Sequence, residues 1–525
     1  MISKLSPRYF FRSGIQGLYL KHLERSYHHF KFAIHHPKVV QNNRLKVILK
    51  TNQNTQYGKK YNFASISSVK EYQNQVPIAD YDSIERHIRS CAAGNKNILC
   101  NEKIKLMELS GGSSGPEKLI PYTKGLLQEF SAAIDPWLFN LYSSIPELKG
   151  TRSYWAISPI HRTARITSGG IPIGIDDDLE YFGPLSRMLL NEFMLSSKGI
   201  AKCVDINQWR FKTAKLLLAC TDLGMISVWS PTFLLLLLEY IESEAHNFLL
   251  GTDRFSPGNL SAIWPKLKLI SCWTDASSSL FIPKLRRWFP HVTIQSKGLL
   301  AVEGIVSIPL SDIDGSVLAV GGHFLEFIEL AKPNSSPCQA FELEVGGHYA
   351  PLLTTSGGLY RYNLKDSVQC LGYYHSTPII RFEGKIDLTS DLCGEKLNPV
   401  QVEAALHKVA QIMNLPYEFA LMTPYIPSSG NMPYYILFLE APMTREQIEI
   451  LSNNLDTELR QGHPYNYARE LGQLGKIEVR PVKNALSFYL SSLERSGLRA
   501  GTIKHNILDQ RLNWVELFND HAPFS

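Results

Sequence analysis

The sequence predicts an α/β protein in the broad sense: a large N-terminal domain of layered sheets and helices with a strand-rich subdomain, then a small, mobile α+β C-terminal domain. Three observations carry this prediction. Strand-like and helix-like patterns alternate through the middle of the chain, strands dominate from about Val317, and a separate run of strands and helices follows Lys385. At 525 residues the chain is too long for one compact core. The expected division is a large domain over 1–384 and a small one over 385–525, with a hinge near 385–388 that includes Asp387.

Residues 1–60 read as helical. His22, His29 and His36 recur every seven residues, which is the spacing of a solvated helix face rather than of a metal site. KIKLMEL, Lys103 to Leu109, alternates as a strand does. Thr123 can cap a helix that carries Leu126, Leu127, Phe130, Ile134, Trp137, Leu138 and Leu141 on one face. The stretch between them, ELSGGSSGPEKLIPYT, is therefore expected to join a strand to a helix. Further on, Lys212 to Leu218 and Thr232 to Ile241 read as helices, LKLISCW as a buried strand, Phe281 to Phe289 as a helix and HVTIQSKGLL as strand and loop.

The strand-rich region comprises VLAV, HFLEFIEL, AFELEV and GLYRYNLKDSVQCLGYY, separated by glycine turns. In the small domain Asn398 caps and Pro399 starts a helix running to about Met413. Two strands, FALMTP and YYILFLE, come next. A helix capped at Thr444, with Gln447 completing a capping box, and the strand KIEVRPV end the pattern.

Composition excludes several classes. With 44% hydrophobic and 19% charged residues the chain is globular, and a net charge of +6 without a basic run gives no nucleic-acid footprint. The N-terminal residues lack a signal-peptide pattern, and the longest apolar run, Phe233 to Leu238, is too short to span a bilayer. Eight dispersed cysteines without ligand spacing read as reduced thiols of a cytoplasmic protein. Asp176, Asp177 and Asp178 read as a solvated turn.

The loop Ser110–Gly115 admits three readings. Walker A spacing is not met. GGSSG matches GxSxG with Ser113 as a nucleophile, but Pro116 and Pro121 interrupt the strand-to-helix step that a nucleophile elbow needs. A phosphate-wrapping loop fits better: glycines let backbone N–H groups approach an anion, serine hydroxyls add donors and Lys118 adds charge. A flexible surface turn is the remaining reading of this stretch alone.

With the loop come GLLAVEG (Gly298 to Gly304), GLYRYNLKD (Gly358 to Asp366) and STPIIRFEGKIDLTSDLCGEKL (Ser376 to Leu397). Together these four ordered motifs resemble the Gretchen Hagen 3 family of acyl acid amido synthetases, within the adenylate-forming superfamily. TQYGKKYNF, VPIADYDSI, SGGIPIGI and SVWSPTFLLLLL resemble its bacterial branch and extend the likeness over nearly the whole chain. The resemblance implies a two-step ligase using ATP and Mg²⁺, in which a carboxylic acid becomes an acyl-adenylate and then an amide of an amino acid. Its partners would be these small-molecule substrates.

By that resemblance, Ser110, Gly111, Gly112, Ser113, Ser114, Gly115 and Lys118 match the phosphate-binding motif. Ala301 and Val302 lie beside the nucleotide, and Glu303 matches the glutamate that holds Mg²⁺, a hard cation suited to oxygen. Asp366 matches the aspartate that accepts the ribose hydroxyls, and Arg381 and Lys385 fall near ribose and phosphate. Lys396, in GEKL, matches a family lysine near the nucleotide, and Lys504, in GTIKHN, one late in the small domain, where a lysine carried in by domain rotation would stabilise charge during adenylation. Taken singly, Lys385, Lys396 and Lys504 also read as ordinary surface lysines.

Two residues depart from the family pattern. Val302 stands where the family usually has Thr or Ser, a lost charged hydrogen bond worth about 1.5 to 3 kcal/mol, or roughly ten- to a hundredfold in rate. Lys365 stands where the family has glycine, at a cost of about 1 kcal/mol if φ is positive there. The motifs leave open a thiol acceptor such as coenzyme A, and a degenerate member that binds nucleotide without chemistry.

Overall fold

The structure, a computed structural model, describes residues 7–110, 118–156, 165–174, 184–195, 200, 206–245, 248, 255–386, 390, 392–393, 395–470, 472–496, 498, 503–511 and 513–519. The chain forms two compact units, residues 1–274 with 285–382 and residues 275–284 with 383–525.

The first unit opens with two helices, Pro7–His35 and Pro37–Asn52. Pro37 suits the first turn of the second, where its missing N–H has no partner to lose. The long first helix packs Tyr19, Leu23 and Phe30 inward, and Tyr27 stacks on Phe139 of the Lys124–Ser144 helix at 4.4 Å between centroids. That helix begins as expected, with the Thr123 hydroxyl accepting from Leu126 N at 3.1 Å. Leu126, Phe130, Ala133, Trp137, Leu138 and Leu141 are buried along it, the three-and-four spacing of a helix face turned to a core.

A parallel sheet takes the strands Arg152–Trp155, Leu223–Ser227, Leu269–Ser271 and Thr293–Gln295 side by side in chain order. Its register aligns Trp155, Ser227, Ser271 and Gln295 in one row at the carboxyl ends of the strands. An eight-stranded antiparallel sheet built around Phe324–Glu329, His348–Thr354, Asp366–Tyr374 and Thr377–Lys385 accounts for the strand-rich region. AFELEV is not one of its strands. The strand there is the two-residue Cys338–Gln339, after which Glu342 accepts from Gln339 N at 2.8 Å and turns the chain, leaving Val345 64% exposed. Alternation alone could not reveal that a local carboxylate would claim the backbone donor.

The Tyr72 and Gln73 helix is tied to this sheet by a buried ion pair. Arg361 sits at φ +48°, donates through Nε to Glu326 Oε2 at 3.2 Å, and through Nη1 to Gln73 O and Val76 O at 2.8 and 2.7 Å. Both side chains are nearly solvent-free, and burial raises the Glu326 carboxyl against the pull of the guanidinium.

In the second unit, Phe419–Tyr425 and Tyr434–Glu440 pair antiparallel and Glu478–Pro481 joins in parallel. Both capping boxes form, Asn398 with Gln401 and Thr444 with Gln447. Helices Ala485–Arg495 and Trp514–Asn519 complete the unit. His505 is buried among Phe281, Phe419 and Tyr489, with Nε2 2.8 Å from Ala420 O. Burial lowers its pKa to about 4, against smaller opposing contributions from Ala420 O and Asp509.

Every described cysteine is a free thiol. Burial pushes those of Cys100, Cys220 and Cys272 up to about 12 and raises Cys91, Cys338 and Cys370 in the same direction. Among the described residues no helix is long and apolar enough to cross a membrane.

Two stability measurements test this account. Arg361→Met leaves Glu326 buried without its countercharge, so urea denaturation should show a loss of about 3 kcal/mol, partly restored by adding Glu326→Gln. His505 is neutral in the fold while the unfolded residue takes up a proton below its ordinary value near 6.5. Stability should therefore fall as pH drops from about 6.5 toward 4, by about 3 kcal/mol in total, and His505→Gln should flatten that slope in acid thermal scans.

Candidate active site

The glycine-serine stretch is flanked by two strands that pair with each other. Strand β1, Leu106–Ser110, pairs antiparallel with strand β2, Lys118–Tyr122, and Ser110 faces Lys118 across the ends. This corrects the expected strand-to-helix connection: a strand intervenes before the helix. Pro121 does not prevent it, because β2 is the edge strand of its sheet and a missing donor there breaks no outer pairing. Gly111, Gly112, Ser113, Ser114 and Gly115 lie outside the described residues, as do Asp387 and Asp176 to Asp178.

The residues that flank the loop meet the second motif directly. Ser110 Oγ donates to Glu303 Oε1 at 2.8 Å, and the Tyr122 hydroxyl donates to Val302 O at 2.6 Å. Val302 and Glu303 form the tip of a tight turn closed by Ala301 N to Gly304 O at 3.0 Å and Gly304 N to Ala301 O at 3.2 Å. Glu303 is 8% exposed, while Ala301 and Val302 are half-buried against the core. Gly304 is required by space: a Cβ there would lie 2.9 Å from His323 Nε2 and 3.0 Å from Leu353 Cδ1.

Beneath the turn is a polar network that the sequence reading missed. His323 Nδ1 lies 2.9 Å from Glu129 Oε2, and Glu129 also accepts from the backbone N–H and hydroxyl of Ser356. Both His323 and Glu129 are buried. The available signal was a carboxylate at Glu129, between Leu126 and Phe130 on the apolar face of the Lys124–Ser144 helix.

Asp366, 3% exposed, is the first residue of its strand. Lys365 before it has φ +56°, the left-handed conformation anticipated for a glycine position. Its ammonium lies 3.6 Å from Asp80 Oδ2. Burial works against ionisation of Asp80, yet hydrogen bonds from Ser83 and the charge of Lys365 hold its carboxyl below the ordinary value. Tyr362, in the same segment, is raised by burial and then by the charge of Glu303, which brings the third motif to the second. Lys118 places its ammonium 5.5 Å from the centre of the Tyr81 ring, and the Tyr81 hydroxyl accepts from Leu119 N at 3.0 Å.

The structure thus gathers Ser110, Val302 and Glu303, with Tyr362 within electrostatic reach of Glu303. Arg381 is half-exposed and paired with Asp314, 2.9 and 2.8 Å from its two carboxylate oxygens. Lys385 ends its strand. Lys396, at φ +46°, and Lys504 are exposed side chains of the second unit.

Sequence reading also passed over Lys297. It is 3% exposed, donates to Ser227 Oγ at 2.7 Å, and has its ammonium 4.9, 5.5 and 5.7 Å from the ring centres of Trp229, Trp137 and Trp155. Trp137 Nε1 donates to Gln295 Oε1 at 3.1 Å. This cluster stands at the carboxyl ends of the parallel strands, where ligands bind in α/β sheets. A separate cleft of ≈ 310 Å³, lined by Lys38, Asn42, Leu45 and Ile66 among others, contains none of these groups.

Comparison with known proteins gives a consistent pattern. The N-terminal domain model of the GH3 family matches residues 26–251, its central domain residues 316–385 and its C-terminal domain residues 400–511. A jasmonoyl–L-amino acid synthetase of Oryza sativa subsp. japonica is 22% identical over 88% of this chain and 90% of its own. An indole-3-acetic acid-amido synthetase of Arabidopsis thaliana is 22% identical over 86% and 88%. Among solved structures, the GH3.15 acyl acid amido synthetase has the same fold, with a TM-score of 0.81 at 18% identity over 95% of this chain and 96% of that one. A 2-hydroxyisobutyryl-CoA ligase shares it more distantly, at 0.56 and 12% over 91% and 90%.

The positive φ at Lys365 has a measurable consequence. Glycine relieves the strain but loses the Asp80 pair, whereas alanine loses the pair and keeps the strain. Lys365→Gly should therefore be more stable than Lys365→Ala by about 1 kcal/mol in chemical denaturation.

Proposed function

Because this chain belongs to the GH3 family, whose three domain models match it in order, we propose that it is an ATP-dependent ligase that activates an organic carboxylic acid as its acyl-adenylate and transfers the acyl group to an amino acid. The observation that carries the reading is the 2.8 Å hydrogen bond from Ser110 to Glu303. It joins the first residue of the glycine-serine loop to the motif carboxylate, two groups 193 positions apart in the chain.

In the first half-reaction a carboxylate oxygen attacks the α-phosphorus of ATP, the bond to the β-phosphate bridge breaks, and pyrophosphate leaves. In the second, the amine nitrogen attacks the acyl carbon. The carbon–oxygen bond to AMP breaks, and the nitrogen gives up a proton as the amide forms. Two anions must meet in the first step, so the chief task of the site is to neutralise and align.

Ser110 supplies a hydroxyl and holds the Glu303 carboxylate in one orientation. Tyr122 fixes the backbone of the turn from the other side. The hairpin loop, Ser110 to Gly115, with Lys118 receives the phosphates, Asp366 receives the ribose, and Arg381 and Lys385 stand on the strand that leads to the second unit. Lys396 and Lys504 are the cations that the second unit would contribute, about the hinge at Asp387.

The donors fit Mg²⁺. Glu303 and Ser110 offer hard oxygens, and no cluster of three acidic, histidine or cysteine residues occurs among the described residues. A cation held by one carboxylate, with substrate phosphates and water completing its shell, suits magnesium. When bound, it would screen the phosphate charge.

Val302 leaves the turn intact, because the contact that Tyr122 makes is to the carbonyl oxygen, which any residue supplies. The departure thus removes a hydroxyl without removing the frame that would hold it.

The test is acid-dependent exchange of labelled pyrophosphate into ATP across aromatic, indolic, aliphatic and dicarboxylic acids. Wild type should exchange with at least one class, Glu303→Ala should lose at least a hundredfold, and Val302→Thr should gain about tenfold. Amine and thiol acceptors with mass detection then identify the product. Silence in both wild type and Val302→Thr overturns the ligase reading, and a thioester as sole product overturns the amide.

A further inference from the structure

Lys297 is placed where an acid substrate would end. The segment after the Thr293–Gln295 strand leads directly from Lys297 to Val302, five residues further on and at most about 18 Å of chain. A chain of side-chain contacts also joins the two places. Tyr122, bound to Val302 O, has its ring centre 5.6 Å from that of Phe130. Phe130 and Trp137 lie on one helix face seven residues apart, roughly 10 Å along the axis. Trp137 in turn packs over the ammonium of Lys297. A molecule with its reacting carboxyl at the turn and its far end at the carboxyl ends of the parallel strands would meet Lys297 there.

The chemistry at that end is distinctive. Purely apolar acids would be served by an apolar wall, and the tryptophans provide one. Lys297 instead puts a buried cation within it, fixed by Ser227 and stacked against Trp229, Trp137 and Trp155. The cation is held by Ser227 of the row formed by the carboxyl ends of the parallel strands, the position at which α/β sheets present groups to ligands. Gln295, held by the Trp137 indole, belongs to the same row.

We propose that Lys297 is the specificity-determining residue of the acid site, taking an anionic oxygen group at the end of the acid remote from the carboxyl that is activated. The tryptophan faces take the apolar middle of the molecule, and the substrate class is the elongated dicarboxylic acid. The inference rests on the adenylation reading for the position of the reacting carboxyl.

The probes are suberic, azelaic and sebacic acids against octanoic, nonanoic and decanoic acids. Pyrophosphate exchange should favour the diacids at least tenfold in KM. Lys297→Met, which keeps the length of the stem, should raise the diacid KM about a hundredfold with little change in kcat while improving the monoacids. Ser227→Ala keeps the lysine but removes the hydroxyl that fixes it and should raise the diacid KM severalfold, so it decides the matter if Lys297→Met does not fold. Equal effects on both classes, or a wild-type preference for the monoacids, overturns the proposal. Tryptophan fluorescence without ATP separates the two readings. A diacid response that is lost in Lys297→Met, with no exchange in wild type, keeps the Lys297 assignment and sinks adenylation. No response to either class overturns the assignment even where another acid supports exchange.

Discussion

The site depends on how closely the Ala301–Gly304 turn can approach His323 and Leu353 of the antiparallel sheet region. Only a residue without a Cβ clears His323 and Leu353 at Gly304, and that clearance lets Glu303 project toward Ser110 while remaining nearly buried. His323 is itself held by Glu129, and Glu129 by Ser356, so one helix carboxylate organises three distant segments. Buried polar networks of this kind rigidify when satisfied. Here both Glu129 oxygens are satisfied, while His323 Nε2, which lies against Gly304, has no hydrogen-bond partner among the described residues.

The local structure was legible because its causes are local. The Thr444–Gln447 capping box and the Asn398 and Thr123 caps each need partners within three residues, and all three form where the spacing places them. The hairpin at Ser110 was hidden because Pro121 and the glycines look like a break, and edge position, which excuses a proline, is a property of the sheet. AFELEV failed for the opposite reason: its alternation was strand-like, but Glu342 satisfied a backbone donor locally. Within the site, motif order pointed to Ser110, Glu303 and Asp366. Glu129, His323 and Lys297 stayed invisible because each is explained only by partners at long separation in the chain, 194 positions for Glu129 and His323.

The two departures from the family pattern act on different parts of the molecule. Lys365 changes backbone strain and recruits Asp80, a cap residue of the helix Tyr81–Ala92, so its effect spreads into the frame of the hairpin through Tyr81. Val302 changes only a side chain whose carbonyl remains anchored. A fold that keeps its turn, its carboxylate and its supporting network while exchanging one hydroxyl for a methyl has altered the strength of one contact and preserved the geometry around it.

The thiols have a consequence of a different kind. A cysteine reacts as its thiolate, and burial has moved six of these groups away from the range in which thiolate exists at neutral pH. All six belong to the first unit. For Cys91, Cys100 and Cys272, which are at most 3% exposed, burial and the raised pKa act together, so alkylation should follow opening of the segment around each. The chain therefore carries its own clock for local unfolding: the rate at which Cys91, Cys100 or Cys272 is trapped reads how often the core beside the site lets water in.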